Sequence, residues 1–200
     1  MGENESRIAN EDAIGTVPVQ DEPLPSTFEE FNEQRKASFM RVKEYKDKGG
    51  KLAGVLCSYS PMELLDAAGV AAVGLCGMSD ETIPAAETVL PKNLCPLIKS
   101  TYGFALTDKC PFTYFSDIIV GETTCDGKKK MYELLGDLKD VYVLHLPNSR
   151  ENPAERELWY EEIKRFRSFL EDKFQVEITD EKLRDAARMR NRLRRALVKL

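Results

Sequence analysis

What this chain does without narrows its chemistry before any motif is read. None of its five cysteines stands in a Cys-x-x-Cys pair, the close spacing that zinc ribbons and bacterial-type ferredoxins use. No run of about 20 apolar residues is present, so nothing reads as a membrane span. The acidic, polar amino terminus also lacks the apolar segment of a secretory signal. The chain is therefore expected in the cytoplasm, where thiols stay reduced, and Cys57, Cys76, Cys95, Cys110 and Cys125 read as ligands, nucleophiles or core residues rather than disulfides. Histidine is scarce: His145 is the only one, at the end of a strand-like run, and reads as a packed core residue. Excess positive charge is missing as well. A net charge of −5 argues against a general nucleic-acid binder, which needs a cationic face. The basic stretch 188–195 alternates with Leu193 and Leu197 at helical spacing and reads as a solvated helix face.

Two hundred residues with 42% hydrophobic content can bury one real core. Residues 1–25 are polar and acidic, with few large apolar groups, and read as a disordered tail. Ser26 and Thr27 with Glu29 and Glu30 open a helix that should stop at Gly49-Gly50. Short apolar runs then alternate with helical patterns. Strands are expected at 52–57, 71–76, 118–123 and 141–146, and helices at 61–68, 80–89, 95–106 and 126–138. Continuous rather than alternating apolar strands are what a parallel sheet covered on both faces requires. The expected fold is therefore α/β: a Rossmann-like parallel sheet of at least four strands with flanking helices, spanning 26–150. Two further helices should follow in 151–200, one opened by Asn152-Pro153-Ala154-Glu155 and one by Thr179-Asp180-Glu181. No cap, glycine or proline follows Ala196–Leu200, so the last helix is expected to lead into a second domain that this chain lacks.

The stretch from Asp108 to Lys130 carries the most chemical information. Cys125 falls where the apolar run Ile118–Val120 stops and a helical pattern begins. A thiol there meets free backbone N–H groups and the positive end of a helix dipole, which favour the thiolate. Cys57, Cys76 and Cys125 all lie at or just past expected strand ends, the edge where open α/β sheets bind ligands. Three converging thiols without close pairing suit an iron–sulfur cluster better than zinc. Lys128, Lys129 and Lys130 oppose the helix dipole on their own, and either an anionic cofactor, a substrate phosphate or plain solvation explains them. Ser58, Ser60 and Glu63 are weak catalytic candidates: two hydroxyls that can reach a sulfide or a carbonyl, and a carboxyl in a helix's first turn that can orient the site or give a proton. Tyr102 and Phe104 read as core.

The motif Cys57-Ser58-Tyr59-Ser60-Pro61-Met62-Glu63 followed by Ala67-Ala68-Gly69, the run Leu94-Cys95-Pro96-Leu97-Ile98-Lys99-Ser100, the element Asp108-Lys109-Cys110-Pro111 and the segment Gly121-Glu122-Thr123-Thr124-Cys125-Asp126-Gly127-Lys128-Lys129-Lys130 together resemble the 2-hydroxyacyl-CoA dehydratase and benzoyl-CoA reductase subunit family, and in particular its double-cubane-cluster branch. The resemblance covers about 24–200. It implies an oxygen-sensitive iron–sulfur protein, with a 4Fe-4S or double-cubane cluster, that receives low-potential electrons from an ATP-hydrolysing activator iron–sulfur protein. It implies Cys57 and Cys125 as ligands, with Cys95 and Cys110 as additional ones and further ligands from a missing second domain or partner subunit. A dimer is expected. Cys76, in a variable element, reads as core or as a neighbour of the ligands. The function it implies is the iron–sulfur component of an anaerobic reductase, with a 2-hydroxyacyl-CoA dehydratase subunit and a non-catalytic electron carrier as the alternatives.

Overall fold

A computed structural model gives the architecture of residues 26–199; the expected tail over 1–25, and Leu200, lie outside the described residues. The chain divides into two units, 1–36 and 37–200, and the sheet and the site described below belong to the second. Its sheet has four strands: β1 (Lys51–Val55), β2 (Val70–Gly74), β3 (Ile118–Glu122) and β4 (Val141–Leu144), in the order β2-β1-β3-β4. Every neighbouring pair is parallel. The expected α/β fold is therefore the observed one, with the carboxyl ends of the strands drawn in by one or two residues and β1 and β2 starting one residue earlier.

The helices are α1 (Ser26–Asp47), α2 (Met62–Ala67), α3 (Ile83–Ala86), α4 (Pro96–Leu106), α5 (Pro111–Phe115), α6 (Asp126–Leu135), α7 (Pro153–Phe174) and α8 (Asp180–Leu197). Three differ from expectation for local reasons. α3 is a single turn rather than a helix over 80–89, because after Ala86 the backbone tightens into i−3 bonds, Thr88 N–H to Ala85 and Val89 N–H to Ala86. α5 is too short to show a periodicity; it starts at Pro111, with the Cys110 sulfur accepting from Thr113 N–H at 3.5 Å. α6 stops at Gly136 rather than running to Leu138.

The sheet separates two apolar layers. On one face Leu64, Leu65, Ile118, Val120 and Leu144 pack with Phe166, Leu170, Ile178 and Ala186 of α7, α8 and their connection. On the other, Leu56, Leu75 and Ile119 pack with Ile98, Tyr102 and Ala105 of α4 and with Met131, Tyr132 and Leu135 of α6. Ile119 and its two neighbours in β3 thus face opposite layers, as the period of two in a strand requires. Full burial of side chains such as Phe166 and Ile119 contributes about 2 kcal/mol each. Residues 151–199 share this core. α8 is pinned to α2 by Arg190, whose guanidinium donates to both carboxylate oxygens of Asp66.

At the amino edge of the sheet Asp117 ties three elements together. Its carboxylate accepts from Leu52 N–H at 2.7 Å and from Lys46 Nζ at 2.7 Å to each oxygen. This fixes where β1 and β3 start, and so where their carboxyl ends, and the residues beyond them, come to lie.

Candidate functional site

In this strand order the chain leaves β1 for β2 on one side and returns to β3 on the other. The carboxyl ends of β1 and β3 therefore flank the topological switch point, the crevice where such sheets bind ligands. Cys57 follows β1 and Cys125 follows β3, and both thiols are exposed. Cys57 has a φ of +71°, the left-handed region, which costs a residue with a Cβ about 1 kcal/mol. Something must hold it there.

Glu122 does. It is the last residue of β3 and is fully buried. Its carboxylate accepts from the backbone N–H groups of Ser58 (3.2 Å) and Tyr59 (2.8 Å), the two residues after Cys57. Burial pushes the Glu122 carboxyl above its ordinary value of 4.5, and those two N–H groups pull it part of the way back. Glu122 is itself clamped by Tyr132 on α6, whose hydroxyl accepts from Glu122 N–H and donates to Glu122 C=O, both at 3.1 Å. Burial raises the Tyr132 hydroxyl to about 12, so it stays protonated and keeps donating. Gly121 makes room for the ring: a Cβ there would sit 2.5 Å from Tyr132 Cζ.

Cys125 is the N-cap residue of α6, extended (φ −151°, ψ 154°) and without a capping bond from its own sulfur, so the thiol is free at the positive end of the helix. The preceding Thr124 has its hydroxyl 3.7 Å from the Cys57 sulfur, which links the two cysteine turns directly. Of the three lysines, only Lys128 is buried, and its ammonium contacts the Cys57 sulfur. Burial lowers the Lys128 pKa. The other two pair with local acids, Lys129 with Asp126 at 3.0 Å and Lys130 with Glu133. They do not need an anionic ligand to explain them; Lys128 does the electrostatic work at the sulfur.

Cys95, exposed, is the N-cap residue of α4. Its neighbour Leu94 abuts Gly127 in the first turn of α6, where a Cβ would lie 2.9 Å from Leu94 Cδ1. The starts of α4 and α6 are thus side by side, and Cys95 joins the edge that holds Cys125. Cys110 does not. It lies beyond the far end of α4, about 16 Å of helix away, and caps α5 just before β3 begins, at the amino edge.

The remaining candidates are sorted by their partners. Ser58 is exposed, whereas Ser60 is buried with no hydrogen-bond partner for its hydroxyl. Glu63 is engaged by Arg194 of α8 at 2.5 Å, a structural tie that its first-turn position did not reveal. His145 is exposed rather than packed in the core, and Cys76 is exposed rather than buried. Both follow strands by one or two residues, where the chain has already left the layered core. Tyr102 is buried as expected, and Phe104 half-buried.

Comparison with known proteins identifies the family. The family model for the 2-hydroxyglutaryl-CoA dehydratase D-component matches residues 57–200, from Cys57 through α8. The chain belongs to this family. It is 52% identical over 174 residues to "Putative dehydratase subunit YjiM" of Escherichia coli K12, covering 87% of this chain and 45% of that protein. It is 24% identical over 177 residues to "(R)-2-hydroxyglutaryl-CoA dehydratase, subunit beta" of Acidaminococcus fermentans, covering 86% and 46%. The chain thus spans about half the length of the curated relatives it matches.

The family carries an expectation of iron–sulfur chemistry, and the residues fit part of such a group. Exposed thiols on a rigid edge, a buried ammonium and a helix N-terminus are what an anionic thiolate cluster needs. Among the described residues, no three His, Cys, Asp or Glu side chains are gathered so as to hold a single metal ion. No helix among them is long and apolar enough to cross a membrane.

Proposed function

We propose that this chain is the iron–sulfur-binding part of an ATP-driven anaerobic reductase within the 2-hydroxyacyl-CoA dehydratase family. One observation carries the reading: two exposed thiols, Cys57 and Cys125, flank the switch point of the sheet, with Thr124 bridging toward the Cys57 sulfur and Lys128 against it. Cys57 and Cys125 would hold the cluster, with Cys95 beside them. The cluster would supply a low-potential electron, delivered by an ATP-hydrolysing activator iron–sulfur protein.

The chain's own residues would prepare that edge. Glu122, through Ser58 and Tyr59, holds the left-handed turn that presents Cys57. Lys128 and the N-terminus of α6 offset the negative charge that thiolates and an added electron bring. Thr124 and Ser58 supply polar groups at the rim, and Ser60 has a hydroxyl without a partner beneath it. Further ligands and most of a substrate pocket would come from a second domain or a partner subunit, and a dimer and a cytoplasmic setting belong to the same proposal.

A second reading is a 2-hydroxyacyl-CoA dehydratase subunit, in which the same electron would drive radical elimination of water; both relatives are named as dehydratase subunits, and one of the names gives (R)-2-hydroxyglutaryl-CoA. An electron-carrier role without catalysis is the third. The deciding experiment uses the full-length protein purified without oxygen, with its activator, ATP and a strong reductant. Turnover of a 2-hydroxyacyl-CoA to the enoyl-CoA selects the dehydratase. ATP-dependent reduction of a small molecule without that turnover selects the reductase. Cluster reduction with neither reaction selects the carrier.

A further inference from the structure

The connection from β4 to α7 is pinned along its whole length. Leu146 N–H donates to Thr123 Oγ1 at 2.9 Å, just past the end of β3. Ser149 N–H donates to the Glu155 carboxylate, and Glu151 N–H to Ser149 Oγ at 3.1 Å. Arg156 Nε donates to Arg150 C=O at 3.0 Å. Asn152 then caps α7, accepting from Ala154 N–H at 3.0 Å. A loop held at so many points presents its side chains in one arrangement.

Against it lies a pocket of about 460 Å3, lined by Pro147, Ser149, Arg150, Glu151, Arg156 and Trp159. That volume falls within the roughly 300–1,000 Å3 of small-molecule sites. Trp159 is half-buried and packs against the apolar layer under α7, so its indole forms a fixed, flat wall. Among the described residues nothing pairs with the Arg150 guanidinium. Arg156 uses only its Nε, which leaves both terminal NH2 groups to donate. It also stands in the first turn of α7, where a cation opposes the helix dipole. Ser149 Oγ accepts from Glu151 N–H, which leaves its own proton to donate. Two guanidiniums against the one carboxylate of Glu151 make the lining net positive.

We propose that this pocket binds a nucleoside phosphate, with the phosphate on Arg150 and Arg156 and the base against Trp159. Guanidinium forks match the oxygens of a phosphate, and an indole face stacks on a base. Charge alone would suit any anion. The flat wall and the volume call for a ring system joined to that anion. None of the thiols lines the pocket, and its occupancy is independent of the iron–sulfur reading.

Trp159 is the chain's only tryptophan, so in this chain its fluorescence reports on the pocket. AMP should change that fluorescence saturably. It should bind at least about tenfold more tightly than adenosine or inorganic phosphate, because the two halves of the ligand are tethered. Arg150→Gln, whose side chain supports no other part of the fold, should weaken AMP about tenfold and leave adenosine unchanged. Glu151→Gln should tighten AMP, a direction that damage to the loop would not produce. Circular dichroism checks the fold of each variant, and calorimetry on the full-length protein should give the same ranking of ligands.

Coenzyme A and ADP carry the same phosphorylated adenosine, and comparing them identifies the source. Tighter coenzyme A assigns the pocket to the nucleotide end of a thioester, and tighter ADP to a free nucleotide; both uphold the site. No saturable change with AMP, or benzoate bound as tightly as AMP, overturns the proposal. So does AMP binding that is undiminished in Arg150→Gln or absent from the full-length protein.

Discussion

Replacing Glu122 with glutamine keeps the shape of the side chain and tests what holds Cys57 in place. The carboxylate accepts from two backbone donors, Ser58 N–H and Tyr59 N–H, at 3.2 and 2.8 Å. A glutamine offers one oxygen to one of them and turns its NH2 toward the other, leaving a donor against a donor. A buried donor left without an acceptor costs about 1–3 kcal/mol. Because Cys57 sits at φ +71°, the turn that loses its anchor should relax toward ordinary backbone, and the sulfur should move with it. The carboxyl of Glu122 is raised by burial above 4.5, so the folded state keeps its proton to a higher pH than the unfolded state. The wild type is therefore favoured below that ordinary value and loses stability as pH rises to the folded one, a slope the glutamine variant lacks. The cost of the substitution should accordingly be largest at acidic pH and narrow as pH rises. Denaturant unfolding across pH measures the first effect, and the rate of Cys57 alkylation, with the other cysteines blocked or mapped by mass, measures the second. A variant as stable as the wild type at every pH, with Cys57 alkylation unchanged, would refute the anchoring role; a cost that grows with pH would refute the burial argument.

Gly121→Ala should destabilise the chain by about 1–3 kcal/mol, because its Cβ would meet the Tyr132 ring at 2.5 Å and push the hydroxyl off the Glu122 backbone; denaturant melts read the loss. Asp66→Asn should weaken the seating of α8 on α2 by about 1–2 kcal/mol, since it removes the charge from a partly buried bidentate pair with Arg190. Limited proteolysis should then nick α8 sooner than in the wild type, and an unchanged cleavage rate would refute that account.

The sheet was legible because its strands are short, continuous and apolar, and because Pro96, Asn152-Pro153 and Thr179-Asp180 mark helix starts that the structure keeps. What resisted reading depends on contacts between distant segments. Glu122 ends an apolar run and looks like a strand-end acid until β1 and β3 are paired and the N–H groups of Ser58 and Tyr59 arrive. Lys128 differs from Lys129 and Lys130 only in the side of α6 it occupies, the side that faces Cys57. Glu63 seems available for chemistry until α8, more than a hundred residues later, brings Arg194 to it. Cys110 shares a dense motif with its neighbours in sequence, yet the length of α4 carries it to the opposite edge of the sheet.

The central claim, that Cys57 and Cys125 hold one iron–sulfur centre at this edge, is tested most directly by iron and acid-labile sulfide analysis with electron paramagnetic resonance on the full-length protein purified without oxygen. The account predicts bound iron and sulfide with a cluster spectrum in the wild type, and loss of both in Cys57→Ser and in Cys125→Ser. Iron and sulfide retained undiminished in either variant, or absent from the wild type, would contradict it.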